Sequence, residues 1–367
     1  MKLRTLLLAL AALLLLSFLP HPARAERAAF DDIGIACAYV RQQGELRAEK
    51  IALTLSPAAQ AGRSEDELCD LVFDALSVCS DVALYTLRGR DGSLRLTLKE
   101  LKYRDGVRML DAHESGDASL LSDEERRCLA YAEALAADIC READDPLQRE
   151  LMIHDYLCDH IAYAHDEGDG YWRLLTACSA LLDGRGNCQA YADAFYLLGR
   201  LAGLDVDFVA GLCEGEGHLW NSLRLNGCLV MVDVTYDDLE LGLEGVSDAS
   251  HLYFNCAADL LTGEDRTWSE LTLSAPLMLW TPATLAYFRP AQGEGVLASN
   301  LDGFFRACEA SYDAGARGAE GLLWNCVADP DEVGDAYAEA DLGTDPDAWY
   351  LSEETRDYTW VLVYWGE

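Results

Sequence analysis

Hydrophobic positions recur along this chain with two spacings, one near 3.6 residues and one of two, and the switches between them mark its elements. Residues 51–55 (Ile-Ala-Leu-Thr-Leu) read as a strand. Residues 65–78 follow helical spacing through Leu68, Val72, Ala75 and Leu76, and 83–87 and 94–98 read as strands around the turn Arg90-Asp91-Gly92. The polar, glycine-containing stretch 111–117 reads as a linker. Beyond it, Ser122 followed by Glu125 is a capping box that predicts a helix to about residue 141. Asp145 caps a second helix, with Pro146 in its first turn, ending near residue 160. Residues 165–170 form an acidic, glycine-rich loop. From 187 to about 202 the spacing of Tyr191, Phe195, Leu198 and Ala202 is helical, and Gly203 ends it. Strands follow at 206–211, 218–225 and 228–235, the last two joined by Asn226-Gly227, a strong hairpin signal.

The last part repeats the alternation: a helix near 301–312, a strand at 322–326, a short helix near 331–340, then strands at 349–351 and 358–364. The order strand, helix, strand, strand echoes residues 51–98, and a diverged repeat is one reading of it. The pattern predicts an α+β chain with a central domain at 116–285, flanked by small α+β units at 26–115 and 286–367.

Composition supports a folded chain. Of 367 residues, 51% are hydrophobic and 25% charged, which favours packed structure over disorder. The 64 Asp and Glu against 28 Lys and Arg give a net charge of −36, a surface that repels phosphate backbones and argues against nucleic acid as a partner.

The first 25 residues read as a secretory signal peptide. Lys2 and Arg4 form a positive start, residues 6–16 an apolar run, and Ala23-Arg24-Ala25 a small-residue cleavage site. The alternative, an uncleaved anchor, is disfavoured by the short apolar run and by Pro20 and Pro22 after it. The expected location is secreted or in the cell envelope, with the membrane engaged only through that segment before cleavage. Export permits disulfides. Yet the 13 cysteines are an odd number without a CxxC pair, and many sit at apolar positions, where Cys behaves as a small hydrophobe. No structural zinc site is expected from them.

One cysteine stands apart. Cys188 follows the turn Asp183-Gly184-Arg185-Gly186-Asn187 and opens a helix, where the helix dipole favours a thiolate, the nucleophilic form. A further buried cysteine is the bland alternative. A nucleophile needs a base and an orienting group. With a two-residue loop at Asn226-Gly227, Leu225 faces Cys228, so Trp220 faces Asp233 and His218 faces Thr235. His218 and Asp233 are then diagonal neighbours on one face, roughly 7–8 Å apart along the backbone and within side-chain reach. A surface His beside a surface Asp is the alternative.

The surrounding residues have a family look. Gly186-Asn187-Cys188-Gln189-Ala190-Tyr191, Gly217-His218-Leu219-Trp220-Asn221 and Val232-Asp233-Val234-Thr235-Tyr236-Asp237-Asp238, in that order, closely resemble the bacterial transglutaminase-like superfamily. Its pattern is a Cys opening a helix, a His-x-Trp-Asn strand and an Asp-x-Thr-aromatic-Asp strand. The lead-in Ile153-His154-Asp155-Tyr156 and the trailing His251-Leu252-Tyr253-Phe254, then Glu264-Asp265-Arg266 and Trp268, extend the likeness over about 120–270. Departures are Ala190 where Gly is usual, Tyr236 where Trp is common and Asp265 where His is common. They bear on the substrate groove rather than on the three reactive residues.

The resemblance implies a papain-like arrangement, a helix bearing the thiol packed on an antiparallel sheet bearing His and Asp. It implies acyl transfer or hydrolysis on protein or peptide amides: Cys188 attacks and forms a thioester, His218 moves the proton, Asp233 orients His218. The partner would be a protein or cell-wall peptide substrate, and no cofactor is called for. Trp220, Asn221 and Tyr236 are candidates for lining the groove. No metal site is expected. Asp237-Asp238 matches no calcium loop and paired acids usually sit in solvated turns, while His154 and His160, with Cys158 between them, face different sides of one helix. The competing reading is a non-catalytic envelope binding or scaffolding module that keeps the fold.

Overall fold

The computed structural model describes residues 27–164, 170–225, 227–241, 247–256, 261, 266–273, 295–314, 316–324, 326–340, 349–354 and 358–365. The segment 1–25, expected to be a signal peptide, the loop 165–169, the hairpin residue Asn226 and Asp265 lie outside them. The fold is α+β, as its hydrophobic spacing predicts.

The chain begins with β1 (Ala28–Phe30), α1 (Ile33–Glu45), β2 (Ile51–Leu55), α2 (Glu65–Asp74), β3 (Cys79–Arg88) and β4 (Leu94–Tyr103). These strands form a sheet of order β1-β2-β4-β3, with β1 parallel to β2 and the other pairs antiparallel. α1 escaped the sequence reading, although Ile33, Ala36, Cys37 and Val40 lie at helical spacing and are buried. α2 opens with the capping box of Ser64 and Glu67 and stops at Asp74, short of residue 78, because Ala75–Val78 must turn the chain into β3.

Residues expected to be a linker are helical instead. α3 (Asp105–Ser115) runs through them and is closed by Gly116 at φ 70°, a left-handed position suited to Gly. Burial of Val107, Leu110 and Ala112 and the 2.6 Å pair between Arg47 and Asp111 outweigh the polar composition. α4 (Asp123–Glu142) and α5 (Pro146–His160) follow with the predicted caps, Ser122 with Glu125 and Asp145 with Pro146.

The central unit then forms. The short parallel pair β5 (Ala162–Tyr163) and β6 (Arg185–Gly186) leads into α6 (Cys188–Leu201), ended by Gly203 at φ 81°. β7 (Asp205–Cys213), β8 (Glu216–Leu225) and β9 (Cys228–Val232) build an antiparallel sheet in the predicted register, Leu225 opposite Cys228 and Asn221 opposite Val232. The third strand is shorter than expected. It stops at Val232, and α7 (Val234–Asp237) takes up Thr235, because the Asp233 carbonyl accepts from the Tyr236 and Asp237 amides. β10 (Arg266–Trp268) completes the sheet, order β10-β7-β8-β9. α6 is pinned across it by Asn221, whose Nδ2 donates to Ala192 O on the helix and Asp207 O on β7.

The last sheet holds β11 (Val296–Ala298), β12 (Gly318–Trp324), β13 (Trp349–Glu354) and β14 (Tyr358–Tyr364), with α8 (Leu301–Asp313) and α9 (Pro330–Glu339) between strands. Its order, β11-β12-β14-β13, and its pairing senses reproduce the first sheet, each helix falling at the corresponding place. The topological echo is thus fuller than the sequence pattern suggested. One apolar core runs from Ile33 on α1 through α6 and the central sheet to Leu322 and Trp360 of the last sheet.

The turn into α6 tolerates no extra volume. A Cβ on Gly186 would lie 2.3 Å from the Ala190 Cβ, in the first turn of the helix that Cys188 opens. Gly186→Ala is expected to cost about 1–3 kcal/mol by overpacking, seen as a lower urea midpoint at unchanged slope. Gly170→Ala, with nothing within 4 Å of the added carbon, serves as the neutral control.

Candidate functional site

Cys188 is placed by its flanks. β6 is tied to β5, and the Asn187 amide donates to Leu174 O at 3.0 Å, which fixes the chain as it enters α6. Asn187 caps the helix, its Oδ1 accepting from Gln189 N at 3.0 Å. Cys188 is the first helical residue, is 6% exposed and forms no disulfide. Like it, Cys37, Cys69, Cys79, Cys128, Cys140, Cys158, Cys178, Cys213, Cys256, Cys308 and Cys326 are unbridged.

His218 enters β8 opposite Gly211 of β7. A Cβ at Gly211 would meet Thr267 O at 2.5 Å and Trp220 Cη2 at 2.8 Å, so glycine is needed for the close approach of β10 and of the indole beside His218. The imidazole stacks on Trp220 at 5.5 Å and receives the Tyr236 ring edge-on at 5.2 Å. Its Nε2 lies 2.8 Å from Asp233 Oδ2. Its Nδ1 is the nitrogen that Asp233 does not engage, and the Cys188 side chain lies near enough to the ring to help raise its pKa. The diagonal relation read from the hairpin register therefore brings His218 and Asp233 into contact.

Asp233 is fully buried at the N-terminus of α7. Besides His218, Arg266 of β10 donates to it, Nη1 to Oδ2 at 3.2 Å. The guanidinium lies 3.9 Å from the centre of the Tyr236 ring and 4.6 Å from that of Tyr253. Sequence reasoning met Arg266 only as part of a trailing motif. Its place on a strand 33 residues after Asp233 carries no local signal. Burial by itself would strip the proton from His218, yet the charge and hydrogen bond of Asp233, with Cys188, outweigh it and raise the imidazole from 6.5 to about 10.

The other expected groove residues separate. Asn221, 1% exposed, is turned to α6 and is committed to two backbone carbonyls. Trp220, 3% exposed, lies under His218 among Val209, Met231 and Leu273. Neither lines the groove; both support the residues that flank it. Tyr236 is partly exposed, packs on His218, and its hydroxyl is 2.8 Å from Cys213 Sγ. A cavity of about 630 Å³ beside His218 is lined by Gln189, His218 and Trp268, by Arg63 and Arg104, and by Glu67, Asp70 and Asp74 of α2; Cys188, Trp220, Asn221 and Tyr236 are not on its lining. One wall therefore comes from the N-terminal sheet unit.

The acidic pair after Asp233 is not a solvated turn. Asp237 is fully buried and accepts from Ser250 Oγ, Tyr253 N and, at 3.0 Å, His154 Nε2. Asp238 accepts from the Tyr191 hydroxyl at 2.5 Å. His160 is exposed and bonds Tyr156 O, turned away from the fully buried His154, and Cys158 points to Val234 O.

Residues 133–234 match the family model described as the transglutaminase-like superfamily. The kyphoscoliosis peptidases of Homo sapiens and Mus musculus are 31% and 30% identical over 117 residues, 28% of this chain. The match spans only 17% of the length of those relatives. Among solved structures, the periplasmic domain of TgpA from Pseudomonas aeruginosa, bound to ethylmercury, is 19% identical, with 41% of this chain and 62% of that one covered at a TM-score of 0.26. By the family match, the segment that carries Cys188, His218 and Asp233 belongs to the transglutaminase-like superfamily.

Proposed function

We propose that this protein is an exported thiol enzyme that cleaves or transfers the acyl group of protein or peptide amides, cell-wall peptides included, through a thioester on Cys188. The observation that carries the reading is the buried His218–Asp233 pair, with Nε2 2.8 Å from Oδ2, beside a thiol at the start of α6 that helps raise the imidazole's pKa. In this mechanism the Cys188 sulfur adds to the amide carbonyl carbon while the imidazolium of His218 stands beside it. As the C–N bond breaks, the Nδ1 proton passes to the leaving nitrogen, which departs as ammonia or an amine. Water or an amine then adds to the thioester, giving its proton to His218, and the sulfur leaves. Asp233 stays ionised, holding the imidazole in one orientation and balancing its charge. The Cys188 amide, at a helix start, is suited to the developing oxyanion. Arg266 is a positioning residue that acts through Asp233.

Cys188 is expected to be the fastest thiol to react with iodoacetamide near neutral pH, scored by peptide mapping of the folded protein. Burial pushes Cys37, Cys79 and Cys308 up to about 12, so these stay as unreactive thiols. Cys188→Ala should abolish peptide hydrolysis, deamidation and amine incorporation alike. Activity unchanged in Cys188→Ala, or several cysteines labelling ahead of it, would remove Cys188 as the nucleophile and promote the binding module.

Asp233→Asn should lower kcat/KM by roughly 100- to 10,000-fold, the usual weight of acid–base catalysis. It should also return His218 toward the ordinary histidine range. Because folding raises His218 from 6.5 to about 10, the stability drawn from its pairing with Asp233 is complete below 6.5 and is lost as pH rises through about 10. The difference in unfolding free energy between wild type and Asp233→Asn should therefore shrink steadily over that interval. A difference that grows with pH would contradict the protonated-imidazole reading.

A further inference from the structure

Away from Cys188, a second polar cluster lies where α5, the segment 247–256, α7 and β12 meet. Two imidazoles converge on one carboxylate oxygen: His154 Nδ1 is 2.9 Å and His251 Nε2 3.0 Å from Asp155 Oδ1. The two rings lie 5.1 Å apart, centre to centre. Each far nitrogen is held by a different buried carboxylate, His154 Nε2 by Asp237 Oδ2 at 3.0 Å and His251 Nδ1 by Glu320 Oε2 at 2.7 Å. Those carboxylates are themselves oriented, Asp237 by Ser250 and the Tyr253 amide, Glu320 by the indole of Trp360 and the His251 amide. One helical turn before His154, the buried Glu150 accepts from Asn255 through Oε2, while its Oε1 has no hydrogen-bond partner among the described residues.

We propose that His154, Asp155 and His251 form a binding site for a divalent first-row transition metal, zinc above all, with Asp237 and Glu320 as its outer carboxylates. The chemistry of the donor set supports this. Two imidazoles and a carboxylate suit zinc and its neighbours. Histidine ligands characteristically give their other N–H to a carboxylate, which fixes the tautomer and raises basicity, and both histidines here have that partner. The three donor atoms lie within 4.8 Å of one another, so small side-chain shifts bring them to one ion at about 2.0–2.1 Å for nitrogen. On binding, the protons directed at Asp155 Oδ1 leave for solvent, and those on Asp237 and Glu320 stay. His154 and His251 are almost wholly buried, but Asp155 is 35% exposed, which gives the ion an entry path and leaves a further position for water. This site is independent of the proposed thiol chemistry. It ties α5 to α7, the short helix that Asp233 caps, and to the last sheet through Glu320.

The test uses the full chain, purified without a histidine tag and equilibrated with zinc against a competing chelator. The expected result is one zinc per chain, retained in Cys188→Ala and lost in Asp155→Ala and His251→Gln, with Glu320→Gln weakening affinity by about 10- to 100-fold as outer carboxylates do. Far-UV circular dichroism checks that each variant folds. Should His251→Gln not fold, Asp155→Ala, changed at the most exposed ligand, carries the comparison. Wild-type Tm should rise with free zinc. Cobalt in place of zinc should show visible ligand-field bands without a sulfur charge-transfer band. The proposal is overturned by absence of stoichiometric zinc, by zinc that survives Asp155→Ala, or by a thiolate band with cobalt, which would assign the metal to cysteines. Activity unchanged in Cys188→Ala with zinc binding intact would sink the thiol mechanism and leave this site standing.

Discussion

A carboxylate with no access to water must be neutralised where it stands, and Asp233 is such a group. Breaking a buried ion pair by removing one partner costs about 3–5 kcal/mol, because the remaining charge is left uncompensated. Asp233 is answered from two sides, by His218 of β8 and by Arg266 of β10. Much of the central unit follows from keeping those three together. The hairpin sets the register, Gly211 lets β10 approach closely, and Tyr236 and Tyr253 pack against the guanidinium. The same charge keeps the imidazole protonated beside Cys188.

Around that centre, α6 joins the two halves of the arrangement. Its first residue helps raise the pKa of the imidazole, its body fills the core, and Asn221 fastens it to the sheet. The N-terminal sheet unit is not a detached appendage. Arg104, at the start of α3, donates to Gln189 Oε1 next to Cys188, and α2 walls the groove. The last sheet repeats the topology of the first yet joins through different residues, Glu320 and Trp360, which reach the histidine cluster rather than the groove. Among the described residues, no helix is long and apolar enough to cross a membrane.

Local information in the amino-acid string set a good part of this molecule. Caps at Ser122, Asp145 and Asn187, the alternation that makes β7 and β8, and the hairpin register that aligns His218 with Asp233 all involve residues within about fifteen positions of one another. At that range spacing, turn chemistry and strand alternation dictate geometry. The motif order singled out Cys188 as well. Elsewhere local composition misled. Polar residues 111–115 close a helix because tertiary burial of its other face decides the matter. Thr235 leaves the strand because the Asp233 carbonyl starts a turn, and Trp220 and Asn221 go under the surface because the sheet has helix α6 on one side and a second apolar cluster on the other.

What the tertiary structure alone decided are the contacts across long stretches of chain. Arg266 meets Asp233 over 33 residues, His251 meets Glu320 over 69 and His154 meets Asp237 over 83. None has a spacing that a period of 2 or 3.6 can express, and in the sequence each is one charged residue among many in an acidic chain. They become specific partners only once packing removes the water that would otherwise solvate them, because a buried charge must find its counterpart within hydrogen-bond reach.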